Sequence, residues 1–319
     1  MKTLQSFRIP SQKEPDLNTL VAAHLGCAPT EIKKIRILKR SLDARNRKQF
    51  TLEYSLKIYF EGDVVEAAFA PFPKLKWTGA PPIVVGSGPA GLFATLTFLQ
   101  HGIKPILLER GERTHERMRK ISRFWRTGEL DVDSNICHGE GGAGTFSDGK
   151  LITRIKSPHI GRVMQTFVDY GAPAEITYAY NPHVGSNLMR NVIRRMSDDV
   201  VAQGADLRFR SRVEGLDLSG KQVQRVFLSN GERITGTGIL LACGHSSGSF
   251  LRAIHAQGVH VEPKSFAVGL RIEHSQEFIN QWQYGSKTPP DELGPAQYKL
   301  QTFWEKEKIG VYTFCMCPG

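Results

Sequence analysis

Residues 83–110 read IVVGSGPAGLFATLTFLQHGIKPILLER, and this stretch decides the fold. A short apolar run, IVV, meets Gly86-Ser87-Gly88-Pro89-Ala90-Gly91. An apolar helical pattern follows, and then a second apolar run ends at Glu109 and Arg110. Strand, glycine turn, helix and strand make a βαβ unit. G-x-G-x-x-G alone is a weak signal. Set between a buried strand and a helix, with an acid 18 residues past its last glycine, it becomes a dinucleotide fingerprint. Gly86 permits the tight turn, Gly88 lets the backbone approach a pyrophosphate, and Gly91 lets the helix pack close to the strand. Pro89 and Ala90 open the helix, whose N-terminus offers unpaired N–H groups and a partial positive charge to phosphates. Glu109 is placed to accept hydrogen bonds from the ribose hydroxyls of an adenosine. Glu-Arg-Gly at the strand end disfavours a 2′-phosphate, and FAD and NAD both satisfy that condition.

Upstream, residues 1–70 read as a small basic α/β domain. Asp16 caps an apolar-periodic helix through Leu17, Leu20, Val21 and Leu25. IKKIRILKR (32–40) and FTLEYSLKIYF (50–60) alternate with period two, as half-solvated strands do. Residues 71–82, rich in proline, read as a linker. Downstream, residues 111–128 are helical and polar, 134–150 are a glycine-rich ordered loop, and helical patterns recur near 158–170 and 185–203. Residues 207–242 read as strands with turns at Ser219-Gly220 and Asn230-Gly231, and SFAVGLRIEH (265–274) reads as strand again. The expected architecture is α/β: a Rossmann-like, three-layer FAD-binding domain over 83–261, preceded by the small α/β domain. From 262 to 319 it continues into the start of a largely antiparallel substrate domain.

The chain has 319 residues, 42 basic and 31 acidic, for a net charge of +11. Residues 31–50 hold eight Lys/Arg against two acids, and residues 110–126 hold seven against two, so these windows account for the whole excess. The second adjoins the dinucleotide motif and suits phosphates. The first is compatible with a nucleic acid but lacks the interleaved aromatics of a stacking platform. No run approaches the roughly 18 apolar residues of a spanning helix. The N-terminal residues lack the apolar stretch of a signal peptide. The sequence thus predicts a cytoplasmic protein. The five cysteines, Cys27, Cys137, Cys243, Cys315 and Cys317, have neither disulfide-framework nor zinc spacing.

VVGSGPAGLFAT, LLERG and a glycine-rich loop about 30 residues on resemble the FAD-binding half of glutathione-reductase-type flavoproteins. SNICHGEGGAGTFSDGKLITR, LLACGHSS, FAVGLRIEH and FCMCPG are similar, more narrowly, to a bacterial family of FAD-dependent dehydrogenases of unassigned substrate. The resemblance implies FAD as cofactor and NAD(P)H as a plausible electron donor, although no second G-x-G-x-x-G is present to bind it. It assigns the pyrophosphate to Gly86, Gly88 and Gly91, and the ribose to Glu109. It sets Gly141, Gly142, Gly144 and Thr145 beside the pyrophosphate, ribityl chain and flavin. It sets Val213 at the adenine and Ala242, Cys243 and Gly244 at the end of a return strand near the dinucleotide. Four glycines in six residues (139–144) agree in kind, since such a run brings main chain against a flat ligand. Members of the family continue beyond FCMCPG, so the resemblance also implies a C-terminally truncated chain.

Other residues admit two readings. Arg117, eight residues past Glu109, is either a phosphate or adenine contact or a surface arginine. His138 is either near a flavin or structural, and Cys315 and Cys317 are either redox-active or structural. Gly244-His245-Ser246-Ser247-Gly248 fits a nucleophile elbow literally, but it follows a late strand of a flavin-type fold, which argues against a hydrolase. The function expected is a flavin-dependent oxidoreductase on a small-molecule substrate. The alternatives are an RNA-associated flavoprotein and a non-catalytic dinucleotide-binding module. No catalytic acid or base stands out.

Overall fold

The structure is a computed structural model that describes residues 1–11, 15–43, 45–46, 49–67, 69–146, 149–151, 153, 155–179, 182–219, 222–289 and 294–313. The chain divides into two units. Residues 1–66, 178–180 and 265–319 form the first, and residues 67–177 and 181–264 the second.

The first unit begins with strand β1 (Lys2–Pro10), helix α1 (Leu17–Leu25) and strands β2 (Ile32–Asp43) and β3 (Thr51–Phe60). The Asp16 carboxylate accepts the Thr19 N–H at 3.2 Å, and Gly26 closes the helix at φ 70°, the left-handed region that glycine enters without strain. The strands pair antiparallel in the order β1-β3-β2. Alternate residues of β3, namely Tyr54, Leu56 and Ile58, are buried with Phe7, Ile9, Val21 and Ala22. β1 was not anticipated. Ser6, at φ 55°, bulges the strand between Leu4 and Phe7 and breaks the period-two pattern that would reveal it.

In the second unit, β4 (Ile83–Val85), helix α2 (Pro89–Gln100) and β5 (Ile106–Leu108) realise the βαβ unit, and helices α3 (Thr114–Thr127), α4 (Ile160–Asp169) and α5 (Ser186–Ala202) follow. Then come β6 (Asp206–Arg208), β7 (Val213–Ser219), β8 (Gln222–Leu228), β9 (Arg233–Thr235), β10 (Ile239–Leu241) and helix α6 (Gly248–Ala256). Four of these strands form a parallel sheet in the order β10-β4-β5-β6, and β7, β8 and β9 form an antiparallel sheet. The sheet faces follow the two-residue period. Val84 and Leu107 pack against Leu92, Leu96, Val192, Ile193 and Met196 of α2 and α5. Ile83, Val85, Ile106 and Leu108 pack against Leu216, Val226 and Ile234 of the antiparallel sheet and Phe250 and Ile254 of α6. Helices, parallel sheet and antiparallel sheet are therefore three layers with two apolar seams. Each fully buried Ile, Leu or Val contributes about 1.5–3 kcal/mol. This is the Rossmann-like α/β architecture with accessory α/β and antiparallel regions.

Two details differ from the sequence reading. ITGTGILLA is two strands, β9 and β10, separated at Gly236-Thr237-Gly238 and belonging to different sheets. DLR (206–208) joins the parallel sheet beside β5. Gly220 of the expected Ser219-Gly220 turn lies outside the described residues.

The rest of the first unit holds helix α7 (Gln276–Tyr284) and an antiparallel hairpin of β11 (Gln301–Trp304) and β12 (Ile309–Tyr312). The strand expected over 265–274 does not form. Phe266, Val268, Leu270 and Ile272 alternate as a strand would, yet they are exposed and have no strand neighbour among the described residues. No helix among the described residues is long and apolar enough to cross a membrane.

Candidate functional site

β4, β5 and β10 run in one direction, so their C-terminal ends meet at one edge of the sheet. β5 lies on one side of β4 and β10 on the other, which makes this edge a topological switch point, where open α/β sheets place ligands. A cleft of about 310 Å³ opens there.

The three glycines of the motif have three different surroundings. Gly86 turns the chain at φ 103°, and a Cβ on it would lie 2.5 Å from the Ala242 carbonyl oxygen. A Cβ on Gly91 would lie 1.8 Å from the Gly86 carbonyl oxygen. Gly88 is different, because among the described residues a Cβ there would meet only Gly142 Cα, at 3.8 Å. A methyl at 88 would stand in the cleft. Gly88 is also the N-cap of α2, Pro89 fills the first helical position, and no side chain caps the helix. The first turn therefore keeps its N–H groups and positive dipole end for a ligand.

Glu109 is 4% exposed and lines the same cleft. One carboxylate oxygen accepts the Ser87 N–H at 2.8 Å and the Ser87 hydroxyl at 2.9 Å. The other accepts the N–H groups of Gly111 at 2.9 Å and Gly139 at 3.0 Å. One side chain thus ties the Gly86–Gly91 turn, the end of β5 and the glycine-rich loop together. Glu109→Gln is expected to destabilise the second unit, because the amide places a donor where two donors already point. Each donor left unpaired costs about 1–3 kcal/mol. Urea unfolding measures the loss, and a midpoint equal to wild type would contradict the tie.

The glycine-rich loop is held from the opposite side. Glu140, 1% exposed, accepts the Thr114 N–H at 2.7 Å and the Thr114 hydroxyl at 2.6 Å, fastening the loop to the first turn of α3. Gly141 N–H donates to the Ser87 carbonyl at 3.0 Å. Arg117 lies inside this loop, wholly buried.

At the rim, Arg110 and Arg212 both donate to Asp133, at 2.7 and 2.9 Å. Burial pushes the Asp133 carboxyl up, but these two guanidinium groups outweigh it and leave it below the ordinary carboxylate range. His138, also on the cleft, is held below the ordinary imidazole value by burial and then by the charge of Arg110. Its protonation therefore favours the unfolded chain. Its contribution to stability is present above about pH 6.5, the unperturbed histidine value, and is lost as pH falls through the lowered folded value. An NMR titration of the His138 ring should show a midpoint below that of a free histidine, and a raised midpoint would contradict the placement.

Of the residues singled out from sequence, Gly86, Gly88, Pro89, Ala90, Glu109, Arg110, Gly142, Val213, Ala242 and Gly244 line one cleft. Gly91, Arg117, Gly141, Gly144 and Thr145 are not in its lining. Gly91 packs behind the turn, Thr145 is buried with its hydroxyl on the Glu140 carbonyl at 3.1 Å, and Gly141 packs against that same threonine. Gly139, part of the 139–144 glycine run read as lying against a flat ligand, also lines it, and Cys137, Ser211, Arg212 and Phe250 line it without having been named for it. Ser211-Arg212 immediately precedes Val213, so the adenine-strand assignment was the available pointer to them. In the 244–248 segment, Ser247 is buried and donates to the Gly244 carbonyl at 2.7 Å, which makes the segment a turn into α6. In the first unit, two arginines of the basic window have partners. Arg45 pairs with Asp43, and Arg36 donates to the Glu66 backbone carbonyl, a neutral acceptor that does not compensate its charge. Cys315 and Cys317 lie outside the described residues.

Comparison with known proteins follows the same division of the chain. A family described as "FAD-dependent protein, C-terminal domain-like" matches residues 265–319, and a domain of unknown function, DUF8436, matches residues 1–59. A protein of Clostridium beijerinckii is 37% identical over 327 residues, covering 96% of this chain and 61% of that protein. The chain thus spans about three fifths of that relative's length. Among solved structures, THI4 of Thermovibrio ammonificans is similar at TM-score 0.35 and 14% identity, over 56% of this chain and 60% of that one. A flavocytochrome c3 fumarate reductase in its open conformation is similar at TM-score 0.33 and 17% identity, over 51% and 33%. CtdE in complex with FAD is similar at TM-score 0.30 and 16% identity, over 52% and 39%.

Proposed function

We propose that the cleft binds FAD and that the protein is a flavin-dependent oxidoreductase acting on a small-molecule substrate, with NAD(P)H as electron donor. One observation carries the reading. At the uncapped N-terminus of α2, Gly88 leaves a space that a single Cβ would invade and that no atom of the described residues fills. A diphosphate fits such a cradle, since backbone N–H groups and the helix dipole both favour an anion there. Glu109 serves the ribose. Its oxygen on Ser87 can exchange the serine hydroxyl for a ribose hydroxyl while the carboxylate keeps its three backbone N–H donors. In this reading Val213 and Arg212 would border the adenosine, and Gly142, beside Gly88, the pyrophosphate; all line the cleft. The family description matched at 265–319 supports FAD over NAD, as does the second glycine-rich wall of the cleft.

Bound FAD would supply the hydride or electron transfer, which side chains cannot perform, and the protein would supply binding, orientation and electrostatics. The test is the absorbance spectrum of the purified full-length protein, followed by anaerobic reduction with NADH and with NADPH. A flavin spectrum bleached by one of them supports the reading. Protein that carries no flavin and binds none when FAD is added would refute it.

A further inference from the structure

Arg117 is a cation with no exposed surface, projecting from a helix whose other arginines are solvated. Its Nε donates to the Asn135 carbonyl at 2.8 Å, one terminal nitrogen to the Glu140 carbonyl at 2.7 Å, and the other to the Ile136 carbonyl at 2.8 Å. The Phe146 ring covers the guanidinium, with its centroid 4.6 Å away. Gly139 makes room for the stem, because a Cβ there would come within 2.5 Å of Arg117 Cδ. Segment 135–146 is therefore wound around one side chain. Cys137, His138, Gly139, Gly142 and Ala143 of that segment form a wall of the cleft, and Arg117 itself does not reach it.

The connection continues into the phosphate turn. The peptide between Glu140 and Gly141 places its oxygen on Arg117 and its N–H on the Ser87 carbonyl. The rigid guanidinium fork reaches three carbonyls from three separate nitrogens, whereas lysine would direct its donors from one nitrogen at the end of a flexible stem. Burial pushes the guanidinium down to about 10, while Glu109, Cys137 and Glu140 act the other way. A buried charge is tolerated only where it is hydrogen-bonded and paired, and all three kinds of guanidinium nitrogen here are engaged.

We infer that Arg117 is a positioning residue for the dinucleotide cleft: it is the template on which segment 135–146 is shaped and held against the Ser87 turn. The inference rests on the reading of the cleft as an FAD site. Its test compares wild type with Arg117→Lys in the full-length protein, by titrating FAD and by following hydrogen exchange residue by residue. Arg117→Lys should weaken FAD at least tenfold and speed exchange in 135–146, with β4 and α2 exchanging as in wild type. Methylguanidinium added to Arg117→Ala should restore part of the FAD affinity.

FAD affinity within twofold of wild type, or exchange raised evenly throughout the second unit, would overturn the inference. Should Arg117→Lys fail to fold, Phe146→Leu strips only the ring from the guanidinium. It should give the same local exchange with severalfold weaker FAD, and unchanged values would overturn the inference. Wild type that binds no FAD would overturn the cofactor reading as well, whereas wild type and variants that bind FAD equally would overturn only the role of Arg117.

Discussion

Gly91→Ala should cost the second unit at least about 3 kcal/mol, the upper end of what over-packing usually costs. The added Cβ would lie 1.8 Å from the Gly86 carbonyl oxygen and 3.0 Å from its carbon. Both atoms are main chain, and both belong to a turn that is already fixed. Gly86 sits at φ 103° with the Ala242 carbonyl pressed against it, and its N–H donates to the Leu108 carbonyl at 2.7 Å. The clash therefore has no side chain to absorb it, and either α2 or β4 must move. Val84 and Leu92 are both fully buried in the same seam, so that movement would also open the apolar packing between sheet and helices. A domain has only about 5–15 kcal/mol of stability to lose. Urea unfolding of Gly91→Ala should show a much lower midpoint or a chain unfolded from the start. A variant within 1 kcal/mol of wild type, roughly the scale of ordinary surface substitutions, would show that helix and turn do not pack as described.

The parts of this fold that are legible in the sequence are those fixed by local sterics and by a single period. The βαβ unit is one, because IVV and ILL are continuous apolar runs and the glycines between them serve local needs. β3 is another, its alternation running through Tyr54, Leu56 and Ile58 to the core. β1 escapes because one residue, Ser6, shifts the phase. Segment 265–274 misleads in the other direction, since alternation is a property of a strand with a neighbour and the described residues give it none. The division of ITGTGILLA depends on the close approach of Gly236, where a Cβ would meet the Pro81 carbonyl at 2.8 Å. That contact is invisible along the chain.

The site shows the same contrast. Strand ends and glycines point to the cleft from sequence, because strand direction and backbone approach are local facts. Arg117 does not. It is one of seven basic residues between 110 and 126, and composition treats all seven alike. The signal that separates it is spacing. Thr114, Arg117 and Ile121 are the buried residues of α3, at i, i+3 and i+7, so the arginine shares the inward face with an isoleucine. The Glu109 hydrogen bonds are equally hidden, because three of its four donors are backbone N–H groups, and sequence carries no record of those.

Gly88→Ala should abolish FAD retention while leaving the fold intact. The backbone at 88 has φ −67° and ψ −179°, extended geometry that alanine adopts without strain. Among the described residues the new Cβ meets only Gly142 Cα, at an ordinary contact distance of 3.8 Å. Losing glycine's freedom in the unfolded chain stabilises by about 0.4–1 kcal/mol. Alanine is a poorer N-cap than glycine, which acts in the opposite direction, so stability should stay close to wild type. The ligand has no such latitude. The methyl occupies the space between the α2 N-terminus and Gly142, where the proposed pyrophosphate would lie against the helix N–H groups. We expect FAD affinity to fall roughly a hundredfold or more, about 2.8 kcal/mol at tenfold per 1.4 kcal/mol. Flavin fluorescence released on denaturing the purified full-length protein reads occupancy, and circular dichroism with urea unfolding reads the fold. Wild-type occupancy in Gly88→Ala would mean that GSGPAG is an ordinary turn and that the cleft holds something other than a dinucleotide. Set beside Gly91→Ala, the two substitutions add the same methyl three residues apart. One should remove the ligand from a folded protein, and the other should remove the fold itself.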